Sequence, residues 1–237
     1  MLELSGICRA EFCSRFVDKQ LPCVFKQQFN YLPAIHRWRK GIDFNTEYLL
    51  TKFDTSNLVD VEMGRYNPEL ENGFIRTRIP FNMFLRMISE NEDGQFGDLY
   101  LSQTPLFSIV PELVKDLEPI PGILPDRRNI FTTNAWIGRR TFTARHFDLN
   151  DNLYVMITGR KQVRLWKPTG EGAWKPQGSS EYNYGNFKIA KDEQLYAEIE
   201  LQPGDGLYIP QRWWHEMESV GKEITASVNW WFYETSN

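Results

Sequence analysis

Two histidines and one aspartate give this chain a set of side chains that can bind a metal ion. His146 and Asp148 are separated by one residue, and His215 follows far along the chain, after Gly204-Asp-Gly206. Two imidazoles and one carboxylate form the facial triad of iron(II) oxygenases, which leaves coordination positions open on the other side of the ion. A bidentate 2-oxo acid and dioxygen can fill those positions, so the residue types predict oxidative chemistry.

The predicted strands would bring these three side chains together. Side chains two positions apart in a strand share a face, so a strand over residues 141–148 places His146 beside Asp148 and turns Phe147 away. His215 lies on a later predicted strand, which can lie beside the first in a rolled barrel. Three ligands from two strands make a rigid site. A histidine and an acid two positions apart are common by chance, so the neighbouring residues must support the assignment.

Lys161 is the most informative of these neighbours. It lies just past a predicted hairpin turn at Thr158-Gly159, on a strand in which it alternates in phase with Val163 and Leu165. A lysine among apolar side chains is costly to bury unless it meets an anion. The far carboxylate of a 2-oxo acid would be that anion, and Thr143 can add a hydroxyl donor. A surface lysine at a strand end is the alternative, and spacing alone leaves the two about equal.

The elements that must position these residues are mostly β-strands in the second half of the chain. The predicted strands cover residues 129–137, 141–148, 152–158, 160–167, 196–201, 206–209, 214–220 and 223–232. So many antiparallel strands with short turns predict a small barrel or jelly roll with helices outside it. Residues 167–186 are rich in Gly, Ser, Pro and Tyr, which predicts a long loop between two of the strands.

The first half of the chain is mixed. Helical patterns cover residues 7–17, 44–53 and 81–88, and strand patterns cover residues 22–26 and 58–63. Asp43 or Asn45 can cap the second helix, and Pro80 stands near the first turn of the third. A turn-rich connector over residues 119–126 separates this half from the strands, so we expect residues 1–125 to pack on a core formed by residues 126–233, within one domain over residues 1–237.

Composition indicates a soluble globular protein. The 237 residues are 41% hydrophobic and 24% charged, which is enough to build a proper core. No apolar run reaches the roughly 18 residues of a membrane span, and the first ten residues lack a signal-peptide pattern. We therefore expect a location in the nucleus or cytoplasm and no membrane partner. The net charge of −4 gives no general reason to expect nucleic-acid binding.

The three cysteines predict neither a disulfide framework nor a zinc ribbon. Cys8, Cys13 and Cys23 all lie near the N-terminus, their number is odd, and their spacing is unpaired. We expect reduced and partly buried thiols.

Several segments around the candidate ligands resemble a known family. They are Asn134-Ala-Trp-Ile-Gly138, Thr143-Ala-Arg-His-Phe-Asp148, Asp151-Asn-Leu153, Gly159-Arg-Lys161 and Gly204-Asp-Gly-Leu-Tyr-Ile-Pro-Gln-Arg-Trp-Trp-His215. Together they closely resemble the Jumonji-C (JmjC) domain of Fe(II)- and 2-oxoglutarate-dependent oxygenases. Upstream, Val59-Asp-Val-Glu-Met-Gly64 and Asp98-Leu-Tyr-Leu-Ser-Gln-Thr-Pro-Leu-Phe107 resemble its small hydroxylases, the factor-inhibiting-HIF-like group, with the arginyl-hydroxylase branch nearest.

The resemblance implies a fold and a set of site residues. The fold is mainly β with flanking helices, a double-stranded β-helix of the cupin-like jelly-roll type. The implied iron ligands, which are also the implied catalytic residues, are His146, Asp148 and His215. Lys161 is implied to form a salt bridge with the distal carboxylate of 2-oxoglutarate. The polar residues implied to line the same cosubstrate are Thr143, Asn152, Tyr100 and Asn229.

Some positions depart from the family pattern, and two family aromatics are retained. Arg145 stands where a small residue or proline is often found, and Phe147 where tyrosine or glutamine is common. Because Phe147 is expected to face away from the metal, that change should matter little. Trp136 and Trp214 look like family core aromatics, for which we expect structural roles.

The implied function is a dioxygenase that hydroxylates a protein side chain, with arginine as one candidate. It would consume O₂ and 2-oxoglutarate and release succinate and CO₂. We expect a protein or peptide substrate and a monomer, because the chain ends soon after its last predicted strand.

Four other readings remain open. The chain could be an N-methyl-lysine demethylase, which would release formaldehyde, or an RNA-base hydroxylase, whose binding would depend steeply on salt. It could also be a binding module with a relic site. A zinc or manganese cupin is the remaining alternative.

Overall fold

Strands dominate the fold because short apolar runs alternate with polar residues through most of the chain. The structure is a computed structural model, and it describes residues 1–4, 6–52, 57–64, 75–168 and 194–234. Within these ranges the strands are β1 (Glu3–Leu4), β2 (Cys23–Phe25), β3 (Arg39–Lys40), β4 (Asp43–Phe44), β5 (Leu58–Met63), β6 (Ile75–Pro80), β7 (Leu99–Thr104), β8 (Ile130–Arg139), β9 (Phe142–His146), β10 (Asp151–Thr158), β11 (Lys161–Trp166), β12 (Ala197–Leu201), β13 (Gly206–Ile209), β14 (Trp214–Ser219) and β15 (Ile224–Phe232).

The helices are short and come from the first half of the chain. They are α1 (Arg9–Phe12), α2 (Pro33–Arg37), α3 (Thr46–Leu50), α4 (Phe81–Glu90) and α5 (Leu106–Ile109), with a π-helical turn at Cys13–Val17 and 3₁₀ turns at Pro111–Asp116 and Arg127–Asn129. The side chain of Asn45 accepts the backbone N–H of Tyr48 at 3.2 Å, which confirms Asn45 as the cap of α3. Pro80 occupies the N-cap position of α4.

The described strands pair into two large sheets that face each other. The major sheet has the order β1-β2-β13-β10-β15-β8-β7-β5-β6, and the minor sheet has the order β12-β11-β14-β9. This arrangement confirms the predicted jelly roll with helices outside it. The major sheet takes strands from both halves of the chain, which supports the prediction of a single domain.

The two faces of the major sheet bury different clusters. On the outer face, residues such as Leu153 and Val155 pack with the helices in one continuous apolar cluster. On the inner face, Tyr154 and Met156 pack with Val163 of the minor sheet in a second cluster. Side chains that alternate with the outer cluster therefore point into the space between the sheets.

The connection between β10 and β11 is not a hairpin, so that prediction was wrong. Strand β10 pairs with β13 and β15, whereas β11 pairs with β12 and β14. Thr158-Gly159 carries the chain from one sheet to the other. Gly159 has a φ of +70°, and a Cβ there would lie only 2.8 Å from Cγ2 of Thr225. A glycine turn of this kind serves a crossover as well as a hairpin, because long-range pairing chooses the neighbours.

A β-bulge in β9 sets the direction of two candidate site residues. His146 lies opposite His215, and Thr143 lies opposite Met217, so two residues of β9 face one residue of β14 between these pairs. The extra residue shifts the alternation by one position. Thr143 and His146 are therefore on the same face although they are three residues apart. Strand β9 ends at His146, so Asp148 lies beyond the strand that was predicted to include it.

The remaining predictions have mixed outcomes. The strands of the second half agree with the predicted ones to within a few residues at their ends, but β6 and β7 were not predicted. The three cysteines are free thiols that range from exposed to buried. Residues 169–186 of the predicted loop lie outside the described residues. In the described ranges, none of the helices has the length and apolarity needed to cross a membrane.

Candidate functional site

The three predicted ligands converge at one end of the minor sheet. Nε2 of His146 lies 3.9 Å from Oδ1 of Asp148, and Nε2 of His215 lies 3.7 Å from Oδ2 of Asp148. Their ligand atoms all lie within 4.8 Å of one another. Among the described residues, this is the one group of three or more His, Cys, Asp or Glu side chains that is arranged to hold a metal ion.

Backbone carbonyls fix the orientation of both imidazole rings. Nδ1 of His146 lies 2.8 Å from the carbonyl oxygen of Ala144, and Nδ1 of His215 lies 3.0 Å from that of Trp213. A carbonyl oxygen only accepts hydrogen bonds, so each Nδ1 carries the proton and donates it. Each Nε2 is then left with a lone pair directed at the space beside Asp148, as a metal ligand requires.

The protonation state of His215 also suits metal binding. Burial, together with the nearby His146, lowers the pKa of His215 to about 4, although Asp148 acts in the opposite direction. His215 is therefore neutral at pH 7 and does not have to lose a proton before it binds a metal. Two imidazoles and a carboxylate fit iron(II), and this donor set also suits zinc or manganese.

Lys161 lies inside the protein, and no acid among the described residues pairs with it. Lys161 is 1% exposed, and it lies on the same face of β11 as the buried Val163 and Leu165, as the alternation predicted. Nζ donates a hydrogen bond to the hydroxyl of Tyr100 at 3.1 Å. Within the described part of the chain it forms no ion pair, and burial lowers its pKa to about 7. A buried cation of this kind marks a position where an anion can bind.

Tyr100 and Thr143 extend the polar surface next to Lys161. The hydroxyl oxygens of Tyr100 and Thr143 are 3.3 Å apart. Burial raises the pKa of Tyr100 well above its usual range, so the phenol keeps its proton and can donate it. The Tyr100 ring packs against Gly138, where a Cβ would lie 2.9 Å from the ring and 2.7 Å from the carbonyl oxygen of Leu99. Gly138 therefore leaves the space that the ring occupies.

Asn152 and Asn229 form a second polar group on the inner face of the major sheet. Nδ2 of Asn229 donates to Oδ1 of Asn152 at 3.0 Å, and Nε1 of Trp136 donates to Oδ1 of Asn229 at 2.7 Å. The rings of Trp136 and Tyr100 have centroids 6.1 Å apart, which links this group to the surroundings of Lys161. Trp136 was expected to be structural, and its N–H orients Asn229.

Glu62 is a charged neighbour of the site to which the sequence analysis gave no role. It is the cross-strand partner of Tyr100 and lies on the same face of the major sheet. Its Oε1 accepts hydrogen bonds from Oγ of Ser102 and from a guanidinium nitrogen of Arg76, each at 2.8 Å. The alternation of Glu62 with the buried Val59 and Val61 was a signal that this acid faces away from the helix-covered core.

The predicted site residues point into the space between the two sheets. Those from the minor sheet and its end are His146, Asp148, His215, Thr143 and Lys161. Those from the major sheet are Tyr100, Asn152 and Asn229. The arrangement can hold a divalent ion on the same inner face as a buried lysine, and both sheets contribute polar side chains to this space.

Comparison with known proteins agrees with this geometry. The sequence model of the cupin-like domain matches residues 9–237. JmjC domain-containing protein D of Dictyostelium discoideum is 27% identical over 247 aligned residues, which cover 91% of this chain and 52% of that protein. Lysine-specific demethylase 8 of Danio rerio is 30% identical over 237 residues, which cover 93% of this chain and 55% of that protein. The chain spans about half the length of these curated relatives.

The solved structures support the same fold. YcfD, described as a ribosomal oxygenase from Escherichia coli, superposes with a TM-score of 0.61 at 17% identity, covering 98% of this chain and 52% of that chain. At this identity the likeness establishes the fold alone. The match to the cupin-like model covers nearly the whole chain, and the curated relatives carry JmjC domains. The chain belongs to the family of cupin-like domains, in its JmjC group, whose members are typically 2-oxoglutarate-dependent oxygenases.

Proposed function

We propose that this chain is an Fe(II)- and 2-oxoglutarate-dependent dioxygenase that hydroxylates a protein side chain. The observation that carries the proposal is the pairing of two features in one space. A His-Asp-His group faces that space, and so does the buried Lys161, which has no balancing acid among the described residues and is linked through Tyr100 to Thr143, on the same face as His146. A metal alone would explain the first feature, but only an anionic ligand next to the metal explains both.

Each site residue has a defined role in this proposal. His146, Asp148 and His215 would hold the iron, and Lys161 would bind the distal carboxylate of 2-oxoglutarate. Tyr100 and Thr143 would donate hydrogen bonds to the same carboxylate, while Asn152 and Asn229 would line the cosubstrate. When bound, the iron and 2-oxoglutarate supply the oxidising chemistry, in which O₂, 2-oxoglutarate and a substrate C–H bond give succinate, CO₂ and a C–OH group.

The protein's own contribution is to orient charges and to exclude water. The carbonyls of Ala144 and Trp213 keep both imidazole rings aligned, so little reorganisation is needed when a metal binds. Lys161 is held between the rings of Tyr100 and Tyr154, with Nζ 5.0 and 5.7 Å from their centroids. In such a dry setting the attraction between its ammonium group and a carboxylate is much stronger than in water.

Glu62 supports arginine as the substrate residue. Its carboxylate lies next to Tyr100, on the same face of the sheet, and already accepts a hydrogen bond from the guanidinium of Arg76. Guanidinium groups form strong, often bidentate, hydrogen bonds with carboxylates. An arginine side chain that approached the metal past Tyr100 would meet this acid, whereas an uncharged side chain would gain nothing from it.

Mass spectrometry of peptide products tests the proposal. Peptides that present Arg, Lys, Asn and methyl-Lys would be incubated with the protein, Fe(II), ascorbate and 2-oxoglutarate, with His146→Ala as the matched control. We expect a gain of one oxygen on an arginine peptide that requires 2-oxoglutarate and disappears in the variant. Oxygen on another residue type would keep the hydroxylase and reject arginine.

Demethylation is the second candidate, because a relative that is 30% identical is named a lysine-specific demethylase. It uses the same site, since hydroxylation of an N-methyl group leads to its loss as formaldehyde. In the same experiment, loss of a methyl group with release of formaldehyde would establish it in place of the hydroxylase. No change in any peptide, together with no turnover of 2-oxoglutarate, would favour a non-catalytic binding module.

A further inference from the structure

The back of the minor sheet, behind the two histidine ligands, carries a cluster of large side chains. We call it the outer clasp, and its members are Arg145, Phe147, Trp166 and Trp214. Cζ of Arg145 lies 3.9 Å from the ring centroid of Trp166 and 5.8 Å from that of Trp214. The rings of Phe147 and Trp214 pack edge to face with centroids 4.8 Å apart. Arg145 is only 6% exposed, so its guanidinium lies within the cluster.

Arg145 spans three strands to make these contacts. It comes from β9, Trp214 from β14 and Trp166 from β11, and β14 lies between the other two. Two strand spacings amount to about 10 Å, so the side chain of Arg145 must extend across the back of β14 to reach Trp166. Trp166 and Trp214 are cross-strand partners, which places both rings side by side under it. Arg145 therefore ties β9 to β11 over β14.

The tie is made next to both candidate metal ligands. His146 and His215 are cross-strand partners, and the residues immediately before them are Arg145 and Trp214. The carbonyls that orient the two rings belong to the residues before those, Ala144 and Trp213. On each strand, the clasp residue thus stands between an imidazole and the carbonyl that aligns it. When Arg145 or Trp214 is held in place, the imidazole that follows it and the carbonyl that precedes it are held as well.

We propose that Arg145 is a positioning residue for metal binding. Its stacking on Trp166 and Trp214 holds the segments 144–146 and 213–215 against each other. Both imidazole rings are therefore aligned before a metal ion arrives. The inference rests on the proposed function, because it takes His146 and His215 to be metal ligands. Cation–π stacking of arginine on tryptophan is strongest when water is excluded, as it is at this buried position.

Titration with Co(II) tests the proposal without any need for turnover. Metal-free protein would be titrated while the ligand-field absorption of bound cobalt is recorded, with the dissociation constant taken from the same data. In Arg145→Met, which keeps the length of the side chain but removes the planar cation, we expect cobalt to bind about tenfold more weakly. We also expect its absorption bands to change. Arg145→Lys keeps the charge without the stacking plane and should restore the affinity only in part.

Two further variants separate positioning from general stability. Arg164→Met removes another guanidinium from the same face, where it bridges Glu198 and Glu216 at 2.8 Å each, so cobalt affinity should stay within about twofold of wild type. Trp166→Leu removes the surface under Arg145 without altering the segments 144–146 and 213–215. It should weaken cobalt binding, but less than Arg145→Met does, because Trp214 still contacts the guanidinium in this variant. The double variant should bind cobalt no more weakly than Arg145→Met alone, because the Trp166 contact is already lost when Arg145 is replaced.

The possible outcomes test the role of Arg145 separately from the proposed metal site. Wild-type cobalt affinity and absorption in folded Arg145→Met would overturn the inference and leave the metal site intact. If Arg145→Met does not fold, Trp166→Leu decides, and unchanged cobalt binding in that variant would overturn the inference. Wild-type protein that binds no cobalt, or His215→Ala that binds it equally well, would overturn both the metal site and the role of Arg145.

Discussion

Among single residues, the burial of Lys161 should set the pH dependence of the proposed 2-oxoglutarate binding. Its pKa of about 7 in the free protein lies far below the usual 10.5, because burial disfavours the charged form. A dianionic 2-oxo acid requires the ammonium form, so above pH 7 its binding must include the uptake of a proton. We expect the affinity for 2-oxoglutarate to be constant below pH 7 and to fall by up to about tenfold per pH unit above it. Calorimetric titration with Mn(II) in place of iron would measure this.

Removing the charge of Lys161 should separate stability from binding. The unfolded chain keeps the lysine proton up to about pH 10.5, whereas the folded chain loses it above about pH 7. Without cosubstrate, wild-type stability therefore rises with pH across this window as the penalty for the buried charge disappears. At pH 7 we expect Lys161→Met to unfold at a higher temperature than wild type and to lose measurable 2-oxoglutarate binding. A variant that binds 2-oxoglutarate normally would contradict the role of Lys161.

Glu62 offers a test of substrate choice. If its carboxylate recognises a guanidinium, Glu62→Gln should lower kcat/KM for an arginine peptide by about tenfold, equivalent to about 1.4 kcal/mol. Turnover of 2-oxoglutarate in the absence of peptide should change little. Asp60→Asn is the matched control, because Asp60 is the next acid on the same face and pairs with Arg78 at 2.8 Å. Equal losses in both variants would indicate a general charge effect and would remove the argument for arginine.

At this scale the sequence predicted the grouping of His146, Asp148 and His215, because few residue types can bind a metal ion. The inward direction of Lys161 followed from its alternation with Val163 and Leu165, and the structure confirms it. Glu62 received no role from the sequence, and Trp136 received only a structural one. Their importance depends on cross-strand partners, Tyr100 for the first and Asn229 for the second, which are distant in sequence.

Among the elements, the close approach of β7 and β8 under Tyr100 depends on Gly138. A Cβ at this position would lie 2.3 Å from Cγ2 of Thr141, 2.7 Å from the carbonyl oxygen of Leu99 and 2.9 Å from the Tyr100 ring, and the backbone oxygen cannot move away easily. We expect Gly138→Ala to lower the free energy of unfolding by about 1–3 kcal/mol. Displacement of the Tyr100 ring should also raise the KM for 2-oxoglutarate.

Gly122→Ala provides the control for this substitution. A Cβ on Gly122 would have no neighbour within 4 Å, so its free energy of unfolding should stay within about 0.5 kcal/mol of wild type. Denaturant titrations of both variants, with KM measured in parallel, check the prediction. Equal stability of Gly138→Ala and Gly122→Ala would contradict the prediction, because it would mean that β7 and β8 can move apart to accommodate the Cβ.

The element scale is where sequence analysis was least complete. Thr158-Gly159 was predicted to close a hairpin, and it connects the two sheets. The local turn sequence is compatible with both a hairpin and a crossover, so it cannot distinguish them. The bulge that turns both Thr143 and His146 inward was equally invisible, because it exists only in the register between β9 and β14. Strand β6 had a readable signal, since Ile75, Thr77 and Ile79 alternate with two arginines.

Across the whole molecule, the major sheet joins both halves of the chain. Strands β2, β5, β6 and β7 of the first half flank strands of the second half, and one apolar cluster extends from Phe12 to Phe232. We therefore propose one domain and expect one cooperative unfolding transition. Far-UV circular dichroism and tryptophan fluorescence should report the same midpoint. Two separated transitions would show that residues 1–125 and the strand core unfold independently.

The fold class was predictable because alternating apolar residues identify strands and their number excludes a helical protein. The order of strands in the sheets was not predictable from composition or periodicity. Strand β2 pairs with β13, about 180 residues later, and such long-range neighbours leave no local trace. The strand pattern predicted a small barrel or a jelly roll, the family resemblance favoured the jelly roll, and the alternation within single strands indicated the inward faces.

The division of the proposed cosubstrate site between two sheets has a mechanical consequence. Lys161 and Thr143 belong to the minor sheet, while Tyr100, Asn152 and Asn229 belong to the major sheet. A small molecule held by both groups would act as a removable tether across the sandwich. Its binding should slow the local opening of the two sheets, so amide hydrogen exchange in β9 and β11 should become slower with Mn(II) and 2-oxoglutarate than with Mn(II) alone. Each turnover that consumes 2-oxoglutarate would then remove the ligand that bridges the two sheets, so the sheets could separate more easily when the products leave.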